Sequence, residues 1–537
     1  MNYRHNTYLP GAAYIVFIAL LILFLPWLGE TLYSSKGEPR EAIVAMSMLQ
    51  SGEWVLPVSY GVDIPFKPPF MAWLIAAFAW LFNGGVVNEY VSRLPSALSV
   101  IFLVMMVYRW AVKARGARFG MILAFVLATS FEVFRSGIIC RVDMTLTACM
   151  VAGMLLLFDS GFDTNRLSAV RWLRYAAIVL LFTCSTLTKG PVGVLLPCLA
   201  VGIFWLFSGK RFFPTLGKLT LICLLSMVIP ALWYYVAYLR GGEDFYALVY
   251  EENIGRLTGT MSYESHENPV WYNFMTLAYG MLPWMLLMLM SLVCVRKSSR
   301  QPLKPAGLFA LVVAVVVVGF YCIPASKRSV YLLPAYPFIC YGIASAIDSL
   351  ATVRVTRVFT WFMAFVAIIA PLALVALQIW PVDKVVIDSI PWWRYFILAV
   401  PVIAGIAWFV NRHSPVGHSL VMVWGIYLAY AAVAQPAVLN PRSDMPVVEK
   451  LAAMPDDTAI LSIDSWPYPR MYSINYYLDN RLRAVPTLAD AAAYPAGTVI
   501  FVTHGADTTG LSENFVYEPA LRRECDFRKP LGIAIRK

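Results

Sequence analysis

Charge is what this chain has least of. Only 14% of its 537 residues are Asp, Glu, Lys or Arg, against about 25% in an ordinary soluble protein. So few charges cannot cover the surface of a soluble fold of this length. Disorder is excluded by the same shortage, because disordered chains are polar and highly charged. Cysteine is sparse as well. Of nine, eight lie in or near apolar runs, and Cys525 stands alone in the C-terminal tail. A disulfide scaffold is thereby excluded, and the tail has no internal pairing. No HExxH, CxxC, P-loop or GxSxG spacing occurs, so nucleotide-driven chemistry is not expected. There is no repeat of fixed period and no low-complexity tract.

What the chain has is apolar length. Hydrophobic residues make up 60% of it, and the mean hydropathy is +0.68. Runs of about 20 apolar residues read as transmembrane helices. Thirteen are found, near 11–29, 91–112, 119–135, 143–160, 174–188, 191–208, 217–238, 272–294, 306–323, 330–350, 357–379, 393–411 and 419–437. A fourteenth run, 68–83, is short, opens on two prolines and is followed by Asn-Gly-Gly. The run 11–29 has no small-residue cleavage site after it, so it is expected to stay as a first helix.

The net charge of +11 decides the orientation. If 68–83 lies on the membrane surface, every second loop is basic. Those loops carry 18 Lys/Arg against three acids, Asp159, Asp163 and Asp348. The opposite loops carry 13 against 16, and the tail 11 against 12. By the positive-inside trend the N-terminus is cytoplasmic, and the long loops and tail lie outside. The basic excess is then an orientation signal, and nucleic acid has no place in the account.

The first long loop, 30–90, begins with helical apolar spacing over 38–50: Ile43, Met46 and Leu49 with Ala42 and Ala45. An amphipathic helix lying in the interface fits this spacing. Glu38 sits at its start, as a cap or as a functional acid. Several outer cations break the orientation trend: Lys67 before two prolines, Arg135, Arg141, Lys189, Lys327 and Arg328. Each alone could snorkel to the interface. Together they point to an anionic ligand, with a lipid phosphate as the obvious candidate. Asp143 opens a membrane run, where an ionisable group is a functional candidate, the alternatives being a helix cap or a pair with Arg141. The second long loop, 239–271, carries Glu251, Glu252, Asn253, Arg256 and His266. The tail, 438–537, alternates helix-like and strand-like runs, which suggests a small α/β domain. The expected division is a transmembrane catalytic domain over 1–437 and a soluble domain over 438–537.

Ordered motifs carry a family resemblance. They are SSKGEPREAIVAMSMLQSGEWVLP, PFKPPF, SRLPSAL, CRVDMTLT, LTKGPVGVLLP, EENIGRL, HENPVWY and SKRSVYLLPAYPF, from about residue 30 to 345. The sequence resembles the polyprenyl-phosphate-dependent glycosyltransferases. More narrowly, it resembles the ArnT-like aminoarabinose transferases of lipid A, relatives of the protein O-mannosyltransferases. The resemblance implies an α-helical GT-C fold of about thirteen helices with a periplasmic tail domain, in a bacterial inner membrane. It implies an undecaprenyl-phosphate sugar donor and a lipid or glycan acceptor at the outer face. Two departures stand out. Gly37-Glu38 replaces an Asp-Glu pair, and Phe66 replaces the Glu before Lys67-Pro68. In the lipid A enzymes that Glu and a His matching His266 can hold a metal. With Phe66 in place no cofactor is required, and a divalent metal would lack that ligand.

The chemistry expected is displacement at the anomeric carbon, with polyprenyl phosphate leaving. Lys67, Arg141, Lys189, Lys327 and Arg328 are the candidates to neutralise that phosphate, Lys67 first. Glu38 and Asp143 are the candidate bases, needed only for a hydroxyl acceptor. Arg40, Glu252, Asn253, Arg256, His266 and Tyr331 are further substrate-site candidates. A protein O-glycosyltransferase, a lipid-linked glycan ligase and a membrane transporter or flippase of lipid-linked sugars are the alternatives. The transporter lacks support from internal two-fold symmetry.

Overall fold

The computed structural model describes residues 10–33, 37–161, 169–255, 258, 260, 267–293, 304–349, 353–382, 385–455, 457–463, 471–503, 513–518 and 531–537. Each of the thirteen apolar runs carries a helix. The first ten helices are α1 (Pro10–Phe24), α2 (Gly37–Ser51), α3 (Phe70–Phe82), α4 (Glu89–Arg115), α5 (Ala117–Ala128), α6 (Phe131–Gly137), α7 (Val142–Gly161), α8 (Ala169–Lys189), α9 (Val192–Phe207) and α10 (Phe212–Tyr250). Among the described residues nine helical segments are long and apolar enough to cross a membrane. Two bent pairs, α5 with α6 and Trp271–Gly280 with Trp284–Ser291, raise the number to eleven, and α1 and α9 are shorter apolar helices. The chain is a multi-pass membrane protein.

Enclosure differs between spans. The apolar stretches of α7 and of Ser329–Asp348 are 83% buried within the protein, whereas those of Arg354–Ile379 and Trp392–Val410 are 28% buried. The first two are therefore central, and the others leave most of their surface for lipid. Close approach at the centre needs a glycine: a Cβ on Gly153 of α7 would lie 2.3 Å from the Phe182 ring of α8.

The fourteenth run is α3. Thirteen residues rise only about 20 Å, short of the roughly 30 Å hydrocarbon core. The helix expected at 38–50 is α2, but its apolar face is not left for the membrane interface. Ala42, Ile43 and Met46 pack with Met71 and Ile75 of α3 and with Tyr476 of the tail. The second long loop is shorter than its composition suggests. Helix α10 runs on to Tyr250 across a break at Gly242, where φ is +55°, and a π-helical turn, Glu251–Gly255, follows.

The tail forms a five-stranded mixed sheet of β1 (Ile460–Ile463), β2 (Arg483–Val485), β3 (Val499–Thr503), β4 (Phe515–Glu518) and β5 (Leu531–Arg536). The order is β2-β1-β3-β5-β4. β1 is parallel to β2 and β3, and β5 is antiparallel to β3 and β4. Short helices Met445–Ala452, Tyr472–Tyr477 and Leu488–Ala492 complete it.

The tail is docked on the first long loop. Tyr477 donates from its hydroxyl to Glu89 (2.6 Å) and accepts from the Tyr33 amide (2.9 Å). Tyr476 donates to the Val87 carbonyl at 2.9 Å. In return the fully buried Tyr60 of the loop enters the tail's core beside Ile474 and Leu482, and its carbonyl accepts from the Ala484 amide at 2.9 Å.

Candidate active site

At the end of the bundle that bears the long loops, six segments meet around a cleft of about 600 Å³. They are α2, the 57–69 loop, the start of α7, the end of α8, and the turns at 251–255 and 329–335. Each places a side chain by its local structure. Lys189 is the last residue of α8 and Asp143 lies in the first turn of α7, so each charge complements the dipole of its helix. Pro68 and Pro69 hold the backbone after Lys67, just before α3. Gly190, with φ +87°, turns the chain sharply after Lys189.

Two carboxylate–ammonium pairs dominate the cleft. Lys189 donates to Asp143 at 2.5 Å, and the Arg141 Nε lies 3.6 Å from the other oxygen of that carboxylate. Lys67 is hydrogen-bonded to Glu41, and Arg40 lies 3.6 Å from the same Glu41 oxygen. Burial pushes the Glu41 carboxyl up, but the Lys67 and Arg40 charges outweigh it and hold Glu41 below the usual carboxylate range. Burial lowers the Lys67 ammonium against the pull of Glu41, to about 8. Arg328, Glu252, Tyr331, Ser59, Asp63 and Tyr472 complete the polar wall.

A smaller chamber of about 180 Å³ adjoins the cleft. Lys67, Phe66, Lys189, Glu252 and Tyr331 line both, while Val192, Tyr234, Phe320 and Tyr321 line only the smaller one. Its wall is mainly apolar and aromatic. The Lys189 ammonium lies over the Tyr331 ring, 4.1 Å from its centre, and Arg40 and Lys67 lie over Phe66 at 5.1 and 5.6 Å. The arrangement can hold a phosphate at the junction, with an apolar group on one side and a polar group on the other.

The structure brings together Lys67, Arg141, Asp143, Lys189, Arg328, Arg40, Glu252 and Tyr331, and Asn253 lines the smaller chamber. It does not bring Glu38 there. That carboxylate, 4% exposed, accepts from the Arg93 Nε and the Cys140 amide, each at 2.9 Å. Arg93 also donates to the Leu28 and Thr31 carbonyls at 2.7 and 2.6 Å. Glu38 is thus a buried structural partner, and its expected role as base is corrected. Lys327 is corrected too: its ammonium turns onto the Pro324 carbonyl at 2.6 Å and lines neither chamber. Arg135 pairs with the buried Glu132 at 2.6 Å. Arg256 and His266 lie outside the described residues.

Sequence reasoning missed Glu41, Asp63, Arg93 and Tyr472. Glu41 had a signal, since it stands three residues after Glu38 on the same helix, beside Arg40. Arg93 had one too, as a charge opening an apolar run. Nothing in the sequence ties Tyr472 to the cleft. For a metal, no group of three or more His, Cys, Asp or Glu side chains is suitably placed among the described residues. Phe66, on the wall of the cleft, offers no donor atom to a metal.

Residues 66–234 match the family described as dolichyl-phosphate-mannose-protein mannosyltransferase. The undecaprenyl phosphate-α-4-amino-4-deoxy-L-arabinose arabinosyl transferase of Pectobacterium atrosepticum is 26% identical over 379 residues, 69% of this chain and 65% of that protein. An uncharacterized protein of Aquifex aeolicus is 26% identical over 353 residues, 65% of this chain and 66% of its own length. The chain thus spans just under two thirds of these curated relatives. The crystal structure of ArnT from Cupriavidus metallidurans bound to undecaprenyl phosphate superposes with a TM-score of 0.76 at 20% identity, covering 98% of each chain. Its apo form gives 0.75. The chain has the GT-C fold, with a small sheet at its C-terminal end, and its resemblance to the ArnT-like transferases holds.

Proposed function

We propose that this protein is a membrane glycosyltransferase that moves a sugar from a polyprenyl phosphate to lipid A or lipopolysaccharide. One observation carries the reading. Lys67, Arg141, Lys189 and Arg328 converge on a cleft that opens onto an apolar chamber, in a fold shared with a structure that binds undecaprenyl phosphate. The charge distribution supports a cytoplasmic N-terminus in a bacterial inner membrane, with the cleft and tail on the periplasmic side. Residues 1–437 would form the catalytic membrane part and 438–537 the soluble part.

In this reading the apolar chamber takes the first part of the prenyl chain, and Lys67 and Lys189 at the junction take the phosphate. Phosphate leaves as an anion, so fixed positive charge lowers the barrier more than a proton would. Asp143 orients Lys189, and Glu41 orients Lys67. No step requires a metal. Mass spectrometry of lipid A and of periplasmic proteins, with and without this chain, tests the reading. Loss of a sugar from lipid A or lipopolysaccharide is expected. A loss confined to proteins would instead favour the second reading, a protein O-glycosyltransferase, which the match to the mannosyltransferase family supports. Lys67→Ala and Asp143→Ala are each expected to lower transfer by about a hundredfold or more, with membrane levels unchanged. Full turnover by both variants would overturn the site.

A further inference from the structure

Part of the polar wall of the cleft is built jointly by two stretches that lie far apart in sequence. In the first long loop, Ser59 and Asp63 pair as an antiparallel bridge, with amide-to-carbonyl hydrogen bonds of 2.8 and 2.7 Å in the two directions. Between them the chain turns at Tyr60 and Gly61, with φ of +55° and +77°, the backbone pattern of a tight hairpin turn. The base of this turn, Ser59 and Asp63, lines the cleft. Its tip is held by the tail. The Tyr60 ring is buried in the tail's core, and its carbonyl accepts from the Ala484 amide of β2 at 2.9 Å. Gly61 packs so closely that a Cβ there would lie 3.0 Å from the Arg483 Cδ. The tail also adds a residue of its own: Tyr472 lines the cleft and meets the Tyr60 ring edge-on, with ring centres 5.7 Å apart.

Resting on the transferase reading, we infer that Ser59, Asp63 and Tyr472 form the subsite for a sugar ring of the acceptor, and that the tail sets its shape through Tyr60 and Tyr472. The residue types fit a saccharide. A carboxylate offers about four lone-pair sites, so Asp63 accepts from a sugar hydroxyl beside any protein partner, and the Ser59 hydroxyl both donates and accepts. Tyr472 offers an apolar ring face to the C–H face of a sugar and a phenolic hydroxyl to its edge. A peptide fits this wall less well. Extended peptides are commonly read by adding to a sheet edge, and β2, the edge strand beside the turn, already gives its Ala484 amide to Tyr60.

The position favours the acceptor over the donor sugar. Ser59, Asp63 and Tyr472 line the large cleft, and none of them lines the apolar chamber. A donor with its prenyl chain in the chamber and its phosphate at Lys67 and Lys189 enters the cleft from the junction. The wall held by the tail belongs to the side built from loop and tail, outside the membrane-spanning helices. The sugar headgroup of an acceptor glycolipid stands at that same level, clear of the hydrocarbon. Ser59, Asp63 and Tyr472 would touch the acceptor. Tyr60 touches no substrate and is a positioning residue.

The test uses the full-length protein in detergent. A strain deleted for this gene supplies its prenyl-phosphate lipids as donor and its lipopolysaccharide as acceptor. Asp63→Ala and Tyr472→Ala are each expected to raise the acceptor KM about tenfold or more, with the donor KM within about twofold of the parent. Undecaprenyl phosphate should still raise their melting temperature as it does in the parent. Tyr472→Phe, which keeps the ring, is expected to recover most of the loss. Tyr60→Leu is expected to raise the acceptor KM and leave the donor KM unmoved, and an unchanged acceptor KM in a folded Tyr60→Leu removes Tyr60 as the support. Protease resistance of the tail shows whether Tyr472→Ala has loosened it. Asp63 lies outside the tail, so Asp63→Ala decides where the two variants differ. An acceptor KM equal to the parent's in Asp63→Ala, or a rise confined to the donor KM, overturns the inference and leaves the transferase reading standing. Transfer by the parent to periplasmic protein and not to lipopolysaccharide does the same, because the acceptor is then a peptide. If the parent moves sugar from the donor lipids to neither, the transferase reading falls and the inference with it.

Discussion

Glu38 and Glu41 lie one turn apart on α2 and face different surroundings. Glu38 is sealed against Arg93 and the Cys140 amide, while Glu41 meets Lys67 at the wall of the cleft. The first acid organises the protein, and the second belongs to the site. Arg93 is 1% exposed, so its charge depends on Glu38 for compensation. Glu38→Ala is expected to cost about 3–5 kcal/mol of stability, the usual result of orphaning one half of a buried ion pair. Thermal unfolding in detergent checks this. A variant that melts like the parent but loses transfer would return Glu38 to the chemistry.

The depressed basicity of Lys67 predicts a pH dependence with a definite sign. Its ammonium is present below pH about 8 and is lost as the pH rises through that value. Only the charged form attracts the donor phosphate. Donor KM is therefore expected to rise between pH 7 and 9, reaching about tenfold at the upper end if the neutral lysine binds nothing. Lys67→Arg keeps its charge throughout, so its donor KM is expected to stay flat. A parent enzyme whose donor KM does not change over this range would exclude Lys67 as the main phosphate contact.

Gly190 fixes the position of Lys189. Its φ of +87° is one that side-chain-bearing residues rarely adopt, and a Cβ there would stand 3.3 Å from the Tyr234 hydroxyl and 3.4 Å from the Asn253 Oδ1. Gly190→Ala is expected to cost about 1–2 kcal/mol in backbone conformation. Because Lys189 is the adjacent residue, transfer should fall further than the melting temperature suggests. Comparing kcat with thermal stability in the same preparation separates the two effects.

Much of this arrangement is legible in the sequence, and the exceptions have a common cause. Hydropathy alone locates the helices, because lipid rewards any sufficiently long apolar run wherever it stands in the chain. The 3.6-residue spacing of Ile43, Met46 and Leu49 likewise announces α2. Periodicity is blind, however, to which protein surface covers a helix. Whether Glu38 or Glu41 opens on the cleft depends on Arg93, more than fifty residues away. The neighbours Lys327 and Arg328 share one motif, yet the first turns onto backbone carbonyls and the second lines the cleft. Tyr472 reaches the site only because the tail folds back over some four hundred residues.

That return of the tail gives the last prediction. The Tyr477 hydroxyl joins the tail to both Glu89 and the Tyr33 amide, and the same short helix carries Tyr472 into the cleft wall. Tyr477→Phe keeps the ring and removes both hydrogen bonds, leaving two polar groups without that partner. The expected cost is about 1–3 kcal/mol of docking stability. The tail should then be cut faster by protease, with the membrane helices unaffected. Tyr472 touches the polar cleft and not the apolar chamber, so loosening it should raise the acceptor KM and leave the donor KM close to that of the parent. A shift in donor KM alone would mean that the tail supports the phosphate end of the site and not the acceptor wall.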